Sequence, residues 1–160
     1  MTAGRADHRL VNVVLDERIA VRRRPEVERE RAVAIRDLLE ENHFALKDGS
    51  EGPYILRIGL GRAVLDWDVQ NAEGFSLCRL SLPLGLFRTV VTDYLTLCES
   101  YYGALRDLPR SRIEAIDVGR RALHEDGARI LADRLAADID LDFDTARRLF
   151  TLICVLHIRG

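Results

Sequence analysis

Lysine is almost missing from this chain: Lys47 is the only one, and the remaining positive charge is carried by arginine. With a formal net charge of −2 and no lysine-rich stripe, there is no field to hold nucleic acid or an anionic membrane surface. The arginine bias reads first as the mark of a GC-rich genome. Cysteine is scarce as well. Cys78, Cys98 and Cys154 are far apart, odd in number and never in a CxxC pair, which excludes a disulfide framework or a zinc ribbon. Buried thiols in a reducing compartment fit better. No apolar run approaches the length of a membrane span, and the opening MTAGRADHR lacks the apolar core of a signal peptide, so a cytoplasmic location is expected.

Motifs that bind nucleotides or carry covalent catalysis are equally scarce. There is no GxGxxG or Walker loop, and Gly59-Leu-Gly61 falls at a strand turn with no helix following it. Ser100 sits in a helical stretch without a GxSxG elbow. What the chain does have is the balance of a globular protein, with 48% hydrophobic and 31% charged residues over 160 positions. That is enough for one domain with its own core. We expect a single domain over 1–160, with a tail at 1–9, a strand–helix–sheet part at 10–82 and a helical part at 83–160.

Periodicity fills in the elements. Val11, Val13 and Leu15 begin a strand, and Pro25 opens a helix whose stripe Val27, Ala34, Ile35, Leu38, Leu39 ends near Asn42. Lys47–Pro53 is a loop by composition. Tyr54, Leu56, Ile58 and Leu60, then Ala63, Leu65, Trp67 and Val69, then Cys78, Leu80 and Leu82 alternate as three meander strands. Their turns are expected at Gly59–Gly61 and at Asn71–Gly74.

From Pro83 the period becomes helical. Phe87, Val91, Tyr94, Cys98, Tyr101 and Leu105 form one stripe, and Pro109 ends it. Ser111 and Glu114 match a capping box for the next helix, which Gly127 is expected to break or kink. A last helix is expected to begin near Asp144, with that residue as its N-cap. Its run Phe150, Leu152, Ile153, Cys154, Val155, Leu156 leaves no polar face, so neighbours or a partner must cover it on most sides. The fold class is α+β: an antiparallel meander sheet of three to four strands, one early helix, and a C-terminal group of three to four helices packed on one face.

Four blocks carry a resemblance. They are Val33-Ala-Ile, Cys98-Glu-Ser-Tyr-Tyr, Ile113-Glu-Ala-Ile-Asp with Gly119-Arg-Arg, and the stretch from Asp142-Phe-Asp-Thr-Ala-Arg-Arg to His157. On these the chain resembles uncharacterised protein family two-six-two of the UPF series, small alphaproteobacterial proteins, over nearly its whole length. The resemblance implies one cytoplasmic bacterial domain and brings no activity, cofactor or catalytic residue with it.

Several clusters merit weighing. Asp138, Asp140, Asp142 and Asp144 alternate like cation ligands, but an EF-hand register puts Phe143 and Leu149, or Thr145 and Thr151, where glycine and glutamate are required. A solvated edge strand is the plainer reading. Cys154 and His157, with Cys98 and His124, have zinc-ligand chemistry, yet buried cysteine is common and no metal is expected. Tyr101 and Tyr102 could stack on a base or ring, though Tyr101 at helical spacing is more simply core. Arg22-Arg-Arg24 is answered at once by Glu26, Glu28 and Glu30.

The arginine doublets are the sharper feature. Arg147 and Arg148 are expected in the first turn of the last helix, where the dipole disfavours cations unless an anion or Asp144 or Asp142 answers them. Arg120 lies on the apolar stripe of Ile113, Ile116 and Leu123 and needs a carboxylate, with Glu99, Asp117 and Asp93 in range. Arg120, Arg121, His124, Arg147 and Arg148, with Glu99, therefore form either a polar cleft for an anion or acidic partner or a structural ion-pair network.

Two functions follow from this pattern. The leading one is a non-enzymatic interaction or regulatory domain without cofactor, working as a homo-oligomer or with a protein partner, and touching neither nucleic acid nor membrane. The alternative is a small enzyme or sensor for an anionic, phosphate- or carboxylate-bearing metabolite, with Glu99 as acid or base.

Overall fold

The computed structural model describes residues 7–16 and 25–157, the side chains of residues 26, 27 and 157 excepted. The tail at 1–6, the arginine run at 22–24 and the side chain at 157 lie outside the described residues. The order is β1 (Leu10–Asp16), α1 (Pro25–Glu40), β2 (Phe44–Leu46), β3 (Tyr54–Leu60), β4 (Val64–Asn71), β5 (Ser76–Pro83), a 3-10 turn (Leu84–Leu86), α2 (Arg88–Asp107), α3 (Arg110–Leu135), β6 (Ile139–Leu141) and α4 (Phe143–His157).

The main sheet has the order β1-β3-β4-β5. β3, β4 and β5 form the expected antiparallel meander. β1, however, runs parallel to β3, with Val13 opposite Leu56 and Leu15 opposite Ile58. The sheet is mixed, not a pure meander. The reason is topological: α1 lies between β1 and β3, and a crossover of that length returns the chain in the same direction. A second, two-stranded sheet pairs Phe44–Leu46 with Ile139–Leu141 and ties the segment after α1 to the segment before α4.

Several local expectations change. Gly59 sits inside β3, and the turn to β4 is made beyond it, with Ala63 at φ +62° and Gly61 N donating to Val64 O. Ala63 is consequently exposed. α3 starts at Arg110 behind Pro109 with no side-chain cap, so Ser111 and Glu114 do not make a capping box; Glu114 faces Arg110 at 3.4 Å instead. α4 begins at Phe143, which places Asp144 within its first turn and not at the N-cap. The Asn71–Gly74 turn is as expected: Asn71 Oδ1 accepts from the Glu73 and Phe75 amides, and Gly74 takes φ +88°.

Gly127 does not interrupt α3, which is continuous to Leu135. Its role is steric. A Cβ there would lie 2.1 Å from Phe150 Cζ, so only glycine lets the Phe150 ring cross α3. Phe150 also meets Phe87 and Tyr94 of the α2 region, with ring centres 6.3 and 6.4 Å away. Around this ring α4 packs against α1 and α3 beneath the inner sheet face, where Leu56, Ile58, Leu65, Trp67 and Val69 are fully buried. From Leu149 to Leu156 only Thr151 retains partial exposure. Each large side chain in that run contributes about 1.5–3 kcal/mol by leaving water, so α4 is the main apolar anchor.

Candidate functional site

The residues singled out from the sequence fall on α2, α3 and α4, and the structure brings only some of them together. Arg120 is half-buried on α3. Its Nη2 and Nε donate to Asp117 Oδ1 at 2.6 and 3.2 Å, and its guanidinium stacks on the Tyr101 ring at 4.6 Å. Arg121 reaches the other oxygen of the same carboxylate at 2.9 Å while staying largely in solvent. Asp117 is thus clamped between two guanidiniums, and the Arg120 bond holds its pKa below the ordinary carboxylate value. Burial works against the Arg120 charge, and Asp117 and its other neighbours more than offset it.

One turn on, His124 lies half-buried between Tyr94 and Phe150, with each ring centre 5.2 Å away. Its Nε2 meets Thr151 Oγ1 of α4 at 2.8 Å. Burial, then Arg147 and Arg120, push its pKa down to about 4, so the imidazole is neutral at neutral pH.

The second doublet divides. Arg147 and Arg148 lie one turn beyond the start of α4. Arg147 turns back to Asp144 at 2.6 Å and lies over the Phe143 ring at 5.5 Å. Arg148 donates to the carbonyl of Glu41 at 3.0 Å, just past the end of α1, where a cation complements the helix dipole. Glu99 is exposed on α2, and Asp117, not Glu99 or Asp93, is the carboxylate bonded to Arg120.

Two contacts beside this cluster were not anticipated from the sequence. Glu30 of α1 accepts a 2.6 Å hydrogen bond from Tyr102 of α2, and the Tyr94 hydroxyl shares a hydrogen bond with the Cys98 thiol. Glu30 and Tyr102 are far apart in the chain, so no local spacing announces their bond, whereas Tyr94 and Cys98 lie one turn apart on the α2 stripe. Burial pushes the Cys98 and Cys154 thiols up and keeps them protonated. The cluster therefore holds a neutral imidazole, protonated thiols and phenols, and guanidiniums that each have an acceptor. Asp138, Asp140, Asp142 and Asp144 are all exposed; Asp140 faces His43 Nε2 at 3.1 Å and Asp142 bonds Thr145. Among the described residues no group of three or more His, Cys, Asp or Glu side chains is arranged to hold a metal, and no helix is long and apolar enough to cross a membrane.

A second polar region was missed entirely. The outer sheet face carries Arg57, Asp66, Asp68, Arg79 and Ser81 and forms a concavity of about 530 Å³. The sequence signal was present as the outward half of each alternation, which the core reading set aside.

The sequence model of an uncharacterised protein family, UPF0262, matches residues 7–159. A UPF0262 protein of Rhodospirillum rubrum is 53% identical over 154 residues, covering 96% of this chain and 94% of its own. One from Rhizobium etli is 53% identical over 160 residues and covers both chains fully. One from Rhodopseudomonas palustris is 46% identical over 155 residues, 97% of this chain and 95% of its own. No solved structure matches the chain.

Proposed function

The chain belongs to the uncharacterised protein family UPF0262, and we propose that it is a cytoplasmic, non-enzymatic interaction domain that self-associates through the outer end of its α2–α3 hairpin. The supporting observation is the exposure of that end. From Tyr101 to Gly119 Ala104 alone is fully buried, while Leu105, Leu108 and Val118 are 53%, 42% and 67% exposed. Singly exposed apolar residues are ordinary, but Leu105 in the last turn of α2 and Leu108 just past its end are close enough in the chain to start a patch.

The rim favours a second copy as the occupant. Arg106, Asp107, Arg110, Arg112 and Glu114 supply both signs within a few residues, so a two-fold contact can set each charge against its opposite. Chemistry at the Arg120 cluster finds less support, because each guanidinium there already has an acceptor. A ligand for the alternative function, an anionic metabolite, would have to displace Asp117 and Asp144.

Light scattering on the purified chain tests the proposal. A dimer that becomes a monomer on Leu105→Asp with Leu108→Asp is expected, and a monomeric parent chain overturns it. Phosphate binding lost with Arg121→Ala and Arg148→Ala would favour the metabolite reading instead.

A further inference from the structure

The outer face of the main sheet is concave, with Arg57, Asp66, Arg79 and Ser81 exposed, and strand register sets its charges in two rows. In one row Asp16 lies opposite Gly59, Gly59 opposite Asp66, and Asp66 opposite Ser81. In the next outward row Arg57 lies opposite Asp68 and Asp68 opposite Arg79. Adjacent strands lie about 4.8 Å apart, so the backbones of Asp16 and Asp66 lie roughly 10 Å apart with Gly59 between them. Two residues along each strand separate the rows by about 7 Å.

The bonding within the rows is uneven. Asp68 is occupied, accepting from Ser76 Oγ at 2.6 Å and Gln70 Nε2 at 2.8 Å, and Asp66 accepts from Ser81 Oγ at 3.2 Å. Arg57 and Asp16 make no hydrogen bond or ion pair with the described residues. Arg79 stays 78% exposed, with its Nε 3.8 Å from Asp68. Two guanidiniums therefore flank a satisfied carboxylate on one side of the concavity. On the other side two carboxylates flank a gap where Gly59 presents no side chain; a Cβ there would meet only the Asp16 Cβ, at 3.8 Å.

The geometry points to a binding site for a zwitterion of the ω-amino acid class. Its ammonium enters the gap between Asp16 and Asp66, and its carboxylate is held by Arg57 and Arg79. A ligand with charges about two strand residues apart spans the rows, whereas a singly charged one satisfies half of the site. Asp68 opposes any anion placed between the arginines, the ligand carboxylate included, so an anion with no ammonium to meet Asp16 and Asp66 gains little there. The hairpin end plays no part, so this inference and the self-association proposal stand or fall separately.

Isothermal titration with 5-aminopentanoate, backed by amide chemical shifts, tests it. Saturable binding with shifts at residues 57–59, 66–68 and 79–81 is expected, with pentanoate and pentylamine each weaker by about tenfold or more. Arg57→Gln and Asp16→Asn should each weaken 5-aminopentanoate by a similar factor. Gly59→Val, which fills the gap on an uncrowded face, should abolish binding without unfolding the chain. No binding of 5-aminopentanoate, equal binding of pentanoate or pentylamine, or binding indifferent to Arg57→Gln and Asp16→Asn would each overturn the assignment.

Discussion

The two ends of α3 are built from similar amino acids and meet different surroundings. Toward its C-terminus Gly127, Ala128, Leu131 and Leu135 are fully buried; from Arg110 to Asp126 no residue is. At the buried end the Phe150 ring replaces a side chain on α3 and the interface is apolar. At the open end Ile113 and Ile116 are only half-buried, the Asp117 clamp with Arg120 and Arg121 lies within α3 itself, and Arg120 meets α2 by stacking on Tyr101. One helix thus serves as core where α4 covers it and as surface where α4 does not. Stability should concentrate at one end and association at the other.

The largest test removes the anchor. Phe150→Ala should destabilise by about 3–5 kcal/mol in chemical denaturation, because it empties the space where α2, α3 and α4 meet. Gly127→Ala comes next, at about 1–3 kcal/mol, since its Cβ would collide with the same ring. Combining it with Phe150→Leu should recover part of that loss. Simple additivity of the two would show that the crossing is looser than its geometry.

His124 sharpens the contrast by pH. Its folded pKa of about 4 lies below its ordinary value of about 6.5, so the unfolded chain binds the proton first as pH falls. Stability should therefore be fully present above about pH 6.5 and decline by on the order of 2 kcal/mol as pH drops toward 4. Urea unfolding from pH 7 to pH 4 should show a flatter slope in His124→Gln. The smallest effect is expected for Arg148→Ala, about 0.5–1 kcal/mol, because the bond it loses to the Glu41 carbonyl is exposed.

How far the sequence foretold this arrangement depended on whether the cause was local. The apolar run of α4 demanded cover, and Asn71–Gly74 carried turn chemistry; both stand as expected. The pairing of β1 with β3 joins residues some forty positions apart, and β2 with β6 joins the chain across almost a hundred, so neither leaves a local signature. Gly127 illustrates the ambiguity well. A glycine in a helix signals a break or a close approach, and only the position of Phe150 decides which. The Arg120 partner was within reach of spacing rules because Asp117 lies three residues away, whereas Arg148 found a carbonyl in another element.

Sedimentation velocity of the unmodified chain over a wide concentration range, with hydrogen exchange followed across α3, tests the division of this helix most directly. A concentration-dependent dimer whose formation protects residues 101–119 and leaves exchange across the buried end, residues 127–135, slow and unchanged is the expected result. A monomer at every concentration, or a dimer that leaves residues 101–119 exchanging as before, would contradict it.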